Sequence, residues 1–169
     1  MAEQATLILI KPDAITRRLA GAILSRLEEL PLELIGAKAA RVSRELAEDH
    51  YKPLREKPFF VELIQYLCGD LHGVGYVLAL VYAGPEAIAR VRQLAGATNP
   101  EAAAPASIRG ALGRVTTSGL MENVIHASSD EQEAEREIKL WFRPEELLQS
   151  LFATKAHGIA NHKRLVWAS

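Results

Sequence analysis

The chain has 169 residues, of which 49% are hydrophobic and 24% charged, with a formal net charge of -1 at pH 7. That length suits one domain with a substantial core, and the balanced charge excludes a bulk basic field aimed at nucleic acid or anionic lipid. Cys68 is the one cysteine, so no intrachain disulfide forms and the thiol reads as a small buried hydrophobe. The start, Met1-Ala2-Glu3-Gln4, lacks a basic stretch followed by a long apolar run, so a secretory signal is not expected. No apolar run approaches the ~20 residues of a membrane helix. A cytoplasmic protein is the expectation.

Residues 6–10 form a short apolar run that stops at Lys11-Pro12-Asp13, which predicts a buried strand delivering a polar cluster to its end. Leu19, Ile23, Leu27 and Leu30 recur at helical spacing, and Pro31 closes that helix. A second strand is predicted over 32–42, and Ser43 is placed to cap a short helix through His50. Residues 58–67 read as a helix with Phe59, Leu63 and Leu67 along one face, and the glycines of 68–75 read as a loop. The apolar run 76–82 is the best candidate for a central strand. Gly84-Pro85 then opens a helix with Ile88, Val91 and Leu94 or Ala95 inward, Pro85 standing in its first turn.

Residues 95–120 are rich in Gly, Pro, Ala, Ser and Thr and show little periodicity, and loops of that length are usually functional or disordered. A strand over 122–125 follows and ends at His126, and the Ser129/Gln132 spacing fits a capping box for a helix through Leu140. The order strand, helix, strand, helices, strand, helix, strand, helix predicts an α/β (α+β) chain, an antiparallel sheet with helices on one face. No internal repeat and no second domain is visible. The whole of 1–169 reads as a single domain, with 149–169 as a C-terminal extension.

Several side chains have chemical potential. His126 closes an apolar strand, where an imidazole is held rigid yet reaches a cleft, and its free base is nucleophilic near neutral pH. Glu137, on the following helix, is placed to fold back onto one ring nitrogen. From that fragment alone, a histidine closing a strand for structural reasons is the simpler reading. Lys11 after its strand suits a phosphate contact or a solvent-seeking surface lysine. Arg92 and Arg109 carry the guanidinium fork that matches phosphate oxygens, though either alone fits the surface. Thr98 and Asn123 offer hydrogen bonds or turn contacts, Tyr51 a hydroxyl or packing, and Phe59 a core ring by default. No phosphate-loop, dinucleotide or protein-kinase motif is present, nor a Cys/His set with zinc spacing, so no metal-binding residue is assigned.

Taken in order, Ile10-Lys11-Pro12-Asp13-Ala14, His50-Tyr51, Lys57-Pro58-Phe59-Phe60, Gly96-Ala97-Thr98-Asn99-Pro100, Ser107-Ile108-Arg109-Gly110, Asn123-Val124-Ile125-His126-Ala127-Ser128 and Glu135-Arg136-Glu137-Ile138-Lys139-Leu140-Trp141-Phe142 form a specific series. It closely resembles the nucleoside diphosphate kinase family over about residues 6–148. The resemblance implies a ferredoxin-like sandwich, a four-stranded antiparallel sheet covered by helices, assembled as a homo-oligomer (hexamer or tetramer). It implies ping-pong transfer of the terminal phosphate of ATP or another nucleoside triphosphate to a nucleoside diphosphate. By the same resemblance His126 is the phosphorylated nucleophile, Glu137 its orienting carboxylate, and Lys11 a catalytic and phosphate contact. Tyr51, Arg92, Thr98, Arg109 and Asn123 are the other phosphate and ribose contacts, and Phe59 is the surface for the base. Magnesium accompanies the nucleotide and is held by it more than by protein carboxylates.

The chain departs from the family pattern in places. The 68–75 loop and the 112–121 stretch are longer, Ser128 is followed by Ser129 before Asp130, and Ala111-Leu112 follow Gly110 where an acidic and an aromatic residue are common. The tail has no counterpart. An alternative reading is a catalytically weak relative serving as an oligomeric nucleotide-binding or regulatory module, although a pure scaffold has no need of His126, Lys11, Arg109 and Asn123 together. A ferredoxin-like nucleic-acid module predicts strand aromatics and a basic face, whereas aromatic content is 6%. Neither nucleic acid nor membrane is an expected partner.

Overall fold

The computed structural model describes residues 3–159 and 162–167. The elements run β1 (Glu3–Ile10), α1 (Pro12–Thr16), α2 (Ala20–Leu27), β2 (Glu33–Arg41), α3 (Arg44–His50), α4 (Phe60–Cys68), β3 (Tyr76–Pro85) and α5 (Ala87–Ala95). They continue as α6 (Ile108–Leu112), β4 (Arg114–Val115), β5 (Met121–Glu122), β6 (Ile125–Ala127), α7 (Glu131–Trp141), β7 (Thr154–Ile159) and β8 (His162–Trp167). The main sheet has the order β2-β3-β1-β6 with every neighbouring pair antiparallel. This is the ferredoxin-like α+β sandwich.

Helices cover both faces of the sheet, where one face was expected. The cause is legible in β1. Leu7 and Leu9 point to one face and Ile8 and Ile10 to the other, and all are fully buried, so each parity of the pleat needs a cover. The first face packs against α3, α4 and α7 through Ala47, Ile64, Leu67, Ile138 and Trp141. The second packs against α2, α5 and α6 through Ile23, Leu27, Val91, Ala95 and Ile108.

Local readings shift in physically simple ways. Pro85 ends β3 rather than opening α5, whose N-cap is Glu86 at φ 54°. Asp130, not Ser129, caps α7, since its carboxylate accepts from the Glu133 N–H at 2.9 Å while the Ser129 hydroxyl donates to Asp130. Ser43 does cap α3, accepting from the Leu46 N–H. The aperiodic 95–120 stretch contains α6, capped by Ser107. Cys68 is half-buried at the end of α4.

The strand expected over 122–125 is two strands with a break at Asn123-Val124. Val124 stands at φ 59°, a costly conformation for a β-branched residue, of roughly 1–3 kcal/mol. The structure over-determines it. The Val124 N–H donates to Asp13 Oδ2 at 3.2 Å, and the Val124 carbonyl accepts from the Lys11 N–H at 2.9 Å. The break lets β6 pair with β1, placing His126 beside Leu9. Beyond residue 147, β7 and β8 pair as a hairpin, and the Trp167 indole donates to the Lys139 and Phe142 carbonyls at the end of α7. Residues 160, 161, 168 and 169 of the expected extension lie outside the described residues.

Candidate active site

The ends of β1 and β6, the start of α7 and the outer segments enclose a cleft of about 480 Å³. Lys11, Tyr51, Phe59, Arg92, Thr98, Arg109, Asn123, His126 and Glu137, the residues singled out from sequence, all line it. Chain order scatters them over more than 120 positions; the β1–β6 pairing brings Lys11 beside Asn123 and His126, and α3, α4, α5, α6 and α7 bring most of the others.

Lys11 leaves β1 buried at 4% exposure. Its Nζ donates to Asn123 Oδ1 at 2.8 Å and lies 5.0 Å from the Tyr66 ring centre. Asn123 Nδ2 donates in turn to the Thr98 carbonyl at 3.1 Å, tying the 95–107 segment to the floor. Burial, with the Arg109 charge adding to it and Asp13 opposing, lowers the Lys11 pKa to about 7. Arg109 is fixed by α6, donating from its terminal nitrogens to the Gly96 and Ile125 carbonyls at 2.8 and 3.0 Å. Its buried Nε has no partner among the described residues. Burial and the Arg92 charge lower its pKa. A cationic set this deep is costly without an anionic ligand.

His126 is held from behind. Its Nε2 lies 2.9 Å from Glu137 Oε2, which also accepts from the Ser128 hydroxyl at 2.7 Å. Ser128 is itself fixed to β1, accepting from the Leu7 N–H at 3.1 Å. Burial, then the charges of Lys11, Arg109 and Arg136, hold the His126 pKa well below 6.5, so the ring is neutral at pH 7. Burial raises Glu137, against the opposing influence of His50, Ser128 and Arg136. His126 Nδ1 makes no hydrogen bond among the described residues.

Sequence reasoning passed over His50, Tyr66 and Ser128, although His50 and Ser128 sit inside the quoted fragments and Tyr66 stands two turns after Phe59 on the inward face of α4. His50 is fully packed, its ring 4.4 Å from that of His126 and nearly perpendicular to it. The Trp141 indole donates to His50 Nδ1 at 3.2 Å. His50, His126 and Glu137 bring ligand atoms within 4.8 Å of one another. His126 Nε2 and Glu137 are committed to each other and His50 Nδ1 to Trp141, and of the His50 ring only the buried Nε2 is without a partner among the described residues, so the trio makes a poor metal cradle.

The mouth of the cleft is less tightly made. Phe59 is 48% exposed at the start of α4, and Arg92 and Thr98 are exposed. Tyr51 is buried, which raises its hydroxyl pKa. From the outer hairpin, Gly119, Leu120 and Met121 complete the wall.

A family model described as nucleoside diphosphate kinase matches residues 4–147. A nucleoside diphosphate kinase of Pyrococcus horikoshii is 48% identical over 144 residues, 85% of this chain and 88% of that protein. The one from Thermus thermophilus is 46% identical over 143 residues, 85% of this chain and 98% of its own length. Among solved structures, a transition state mimic of the Borrelia burgdorferi enzyme with bound vanadate and ADP superposes with a TM-score of 0.79 at 35% identity, covering 87% of this chain and 91% of that one. A Halobacterium salinarum nucleoside diphosphate kinase in complex with CDP gives 0.78 at 40% identity, covering 88% and 93%.

Proposed function

The chain belongs to the nucleoside diphosphate kinase family and is a phosphotransferase, and on that premise we propose that His126 carries the phosphate on its Nδ1. The observation behind this is the 2.9 Å contact between Nε2 and Glu137, which leaves Nδ1 as the nitrogen with a free lone pair. A neutral imidazole with Nε2–H donated to a carboxylate is the nucleophilic tautomer.

In the first half-reaction Lys11, Arg92 and Arg109 receive the triphosphate tail and balance its charge. Nδ1 attacks the γ-phosphorus in line, the bond to the bridging oxygen breaks, and the nucleoside diphosphate leaves with that oxygen. The ring gains positive charge as the N–P bond forms, and Glu137 stabilises it through Nε2–H. A second diphosphate then enters the same cleft, and its terminal oxygen attacks the phosphorus while Nδ1 leaves. Asn123 and Thr98 suit sugar and phosphate contacts, and Phe59 presents a π-face that any base can stack upon.

Of the cleft carboxylates, Glu137 is engaged by His126 and Ser128 and Glu133 by Arg136 at 2.7 Å, and the exposed Glu62 at the mouth is a lone carboxylate rather than a cage. Magnesium therefore fits as a passenger of the nucleotide, where it adds positive charge across the phosphates.

We infer further that the protein is cytoplasmic and works as a homo-oligomer, a tetramer or hexamer, to be measured by light scattering behind a sizing column. Among the described residues no helix is long and apolar enough to cross a membrane. Residues 149–169 read as an extension to a single domain, in keeping with a family match that ends at 147.

The test is to mix the protein with γ-labelled ATP and magnesium, beside His126→Ala, and chase with GDP. Acid-labile label on the wild type alone, released as GTP, is expected. Folded, nucleotide-binding protein that takes no label would replace the kinase with a binding module.

A further inference from the structure

Glu122 is an acidic residue in a place the transfer reaction does not use. It is 5% exposed, yet its carboxylate is crowded with partners from separate parts of the chain. Oε1 lies 3.0 Å from Nε2 of His72, in the loop after α4. Oε2 accepts from Nε of Arg114, its cross-strand partner in the β4–β5 pair. Arg17, just after α1, stands 3.9 Å away. Burial works against the charge, but the bonds from Arg114 and His72 outweigh it and hold the carboxyl below its ordinary range.

We propose that Glu122 locks the 69–75 loop and the 114–122 hairpin into one wall of the cleft, and that Glu122 and His72 are positioning residues that set nucleotide affinity and base selectivity through Leu120 and Met121. The proposal rests on the kinase reading above.

The hairpin needs such a lock. β4 and β5 share only the pairs Arg114↔Glu122 and Val115↔Met121, and a ribbon that short is unstable by itself. Its turn is closed locally by the Thr116 hydroxyl, which accepts from the Leu120 N–H at 3.1 Å. β4 packs against the 100–102 turn, and the charged tie to the end of α1 and to the 69–75 loop is Glu122, which leads directly into Asn123. The 69–75 loop is fixed in its own way. Gly69 ends α4 at φ 85°, and a Cβ there would run into the Val74 carbonyl, so glycine is required. The His72 ring rests 5.2 Å from that of Tyr66, which lies beneath Lys11.

What the lock holds in place is apolar. Among the described residues, Phe59 at 48% and Met121 at 43% are the exposed large hydrophobics that line the cleft. A flat heteroaromatic ring is the ligand chemistry that covers both. The flexible thioether of Met121 adapts to either ring size, and a purine buries more area against it than a pyrimidine. Loss of the wall therefore weakens purine nucleotides more.

Steady-state kinetics with GDP and CDP as acceptors tests this on Glu122→Ala, His72→Phe and the double variant. Glu122→Ala is expected to raise the KM for GDP about tenfold, to raise that for CDP less, and to act on KM more than on kcat. The double variant should resemble Glu122→Ala, because both substitutions open one lock and their effects do not add. Loss confined to kcat, equal shifts for GDP and CDP, or full additivity would overturn the proposal. Should Glu122→Ala not fold, Met121→Ala takes its place and must weaken GDP more than CDP. Calorimetric GDP binding reads the wall without turnover, so a wild type that transfers no phosphate would sink the kinase reading and leave this one testable.

Discussion

The floor of the cleft and its mouth are built by different means. At the floor, His126 stands on β6 where it pairs with β1, Lys11 follows directly on the end of β1, and a strained Val124 is clamped between the Lys11 N–H and the Asp13 carboxylate. At the mouth, Phe59 stands at the start of α4 without a side-chain capping bond, and Met121 sits on a two-stranded ribbon tied to the 69–75 loop through the side chain of Glu122. In-line transfer slows by about a hundredfold when the reacting atoms are displaced by about 1 Å, so a rigid sheet is the right place for the proposed nucleophile. Stacking on a base tolerates displacement and can be left to loops. The contrast predicts that floor substitutions damage kcat and mouth substitutions damage KM.

The largest expected effect lies at the floor. Glu137→Ala frees the His126 ring to turn and removes the partner of the charge that develops on it. A fall in kcat of about a hundredfold is expected, with KM nearly unchanged because Glu137 bonds to protein groups only. A variant with intact kcat and raised KM would break the contrast.

Next comes the pH response of Lys11. With its pKa lowered to about 7, the free enzyme loses this charge as pH rises through neutrality, whereas a bound phosphate favours the charged form. ATP binding should take up a proton above pH 7 and weaken by up to about tenfold per pH unit there. Calorimetry in buffers of differing ionisation enthalpy measures the uptake, and none at pH 8 would contradict the burial argument. Stability follows the same linkage. The unfolded chain keeps this proton up to its ordinary 10.5, so between about 7 and 10.5 it binds more protons than the native state and stability rises with pH. Lys11→Met should abolish that contribution.

At the mouth the effect is smaller. Phe59→Ala removes a stacking surface worth about 1 kcal/mol or more, so KM for nucleotides should rise about fivefold while kcat falls less. Labelling of His126 at saturating ATP distinguishes the outcomes, and a severe loss there would mean that Phe59 shapes the floor as well.

This division also governs what was legible in the sequence. Floor residues sit in short fragments at strand ends, where Lys11-Pro12-Asp13 and Asn123 to Ser128 stand out against apolar neighbours, and the family resemblance supplied their roles. The break at Val124 was invisible, because it depends on an Asp13 carboxylate more than 100 positions away. Ser129 and Asp130 compete for one cap, and spacing alone does not reveal that the aspartate wins. Helices on the second face follow from the double-sided burial of β1, which period-2 reasoning did not exploit. Least legible was Glu122, whose meaning arises only when the 69–75 loop meets the hairpin.

The smallest effect probes the helix that joins floor to mouth. α3 is capped at its start by Ser43 and delivers His50 and Tyr51 at its end. Ser43→Ala removes the acceptor for the Leu46 N–H and should cost about 1 kcal/mol, a fall in Tm of about 2–4 °C for a chain of this size. Kinetic constants should barely move. The far end of α3 has supports of its own, since Arg136 donates to the Asp49 and His50 carbonyls at 2.9 Å each and Trp141 holds the His50 ring. Fraying the first turn thus leaves His50 in place against His126. A fall in kcat larger than the loss of folded protein explains would show that the floor depends on the whole of α3, and the boundary between floor and mouth would then move outward to include it.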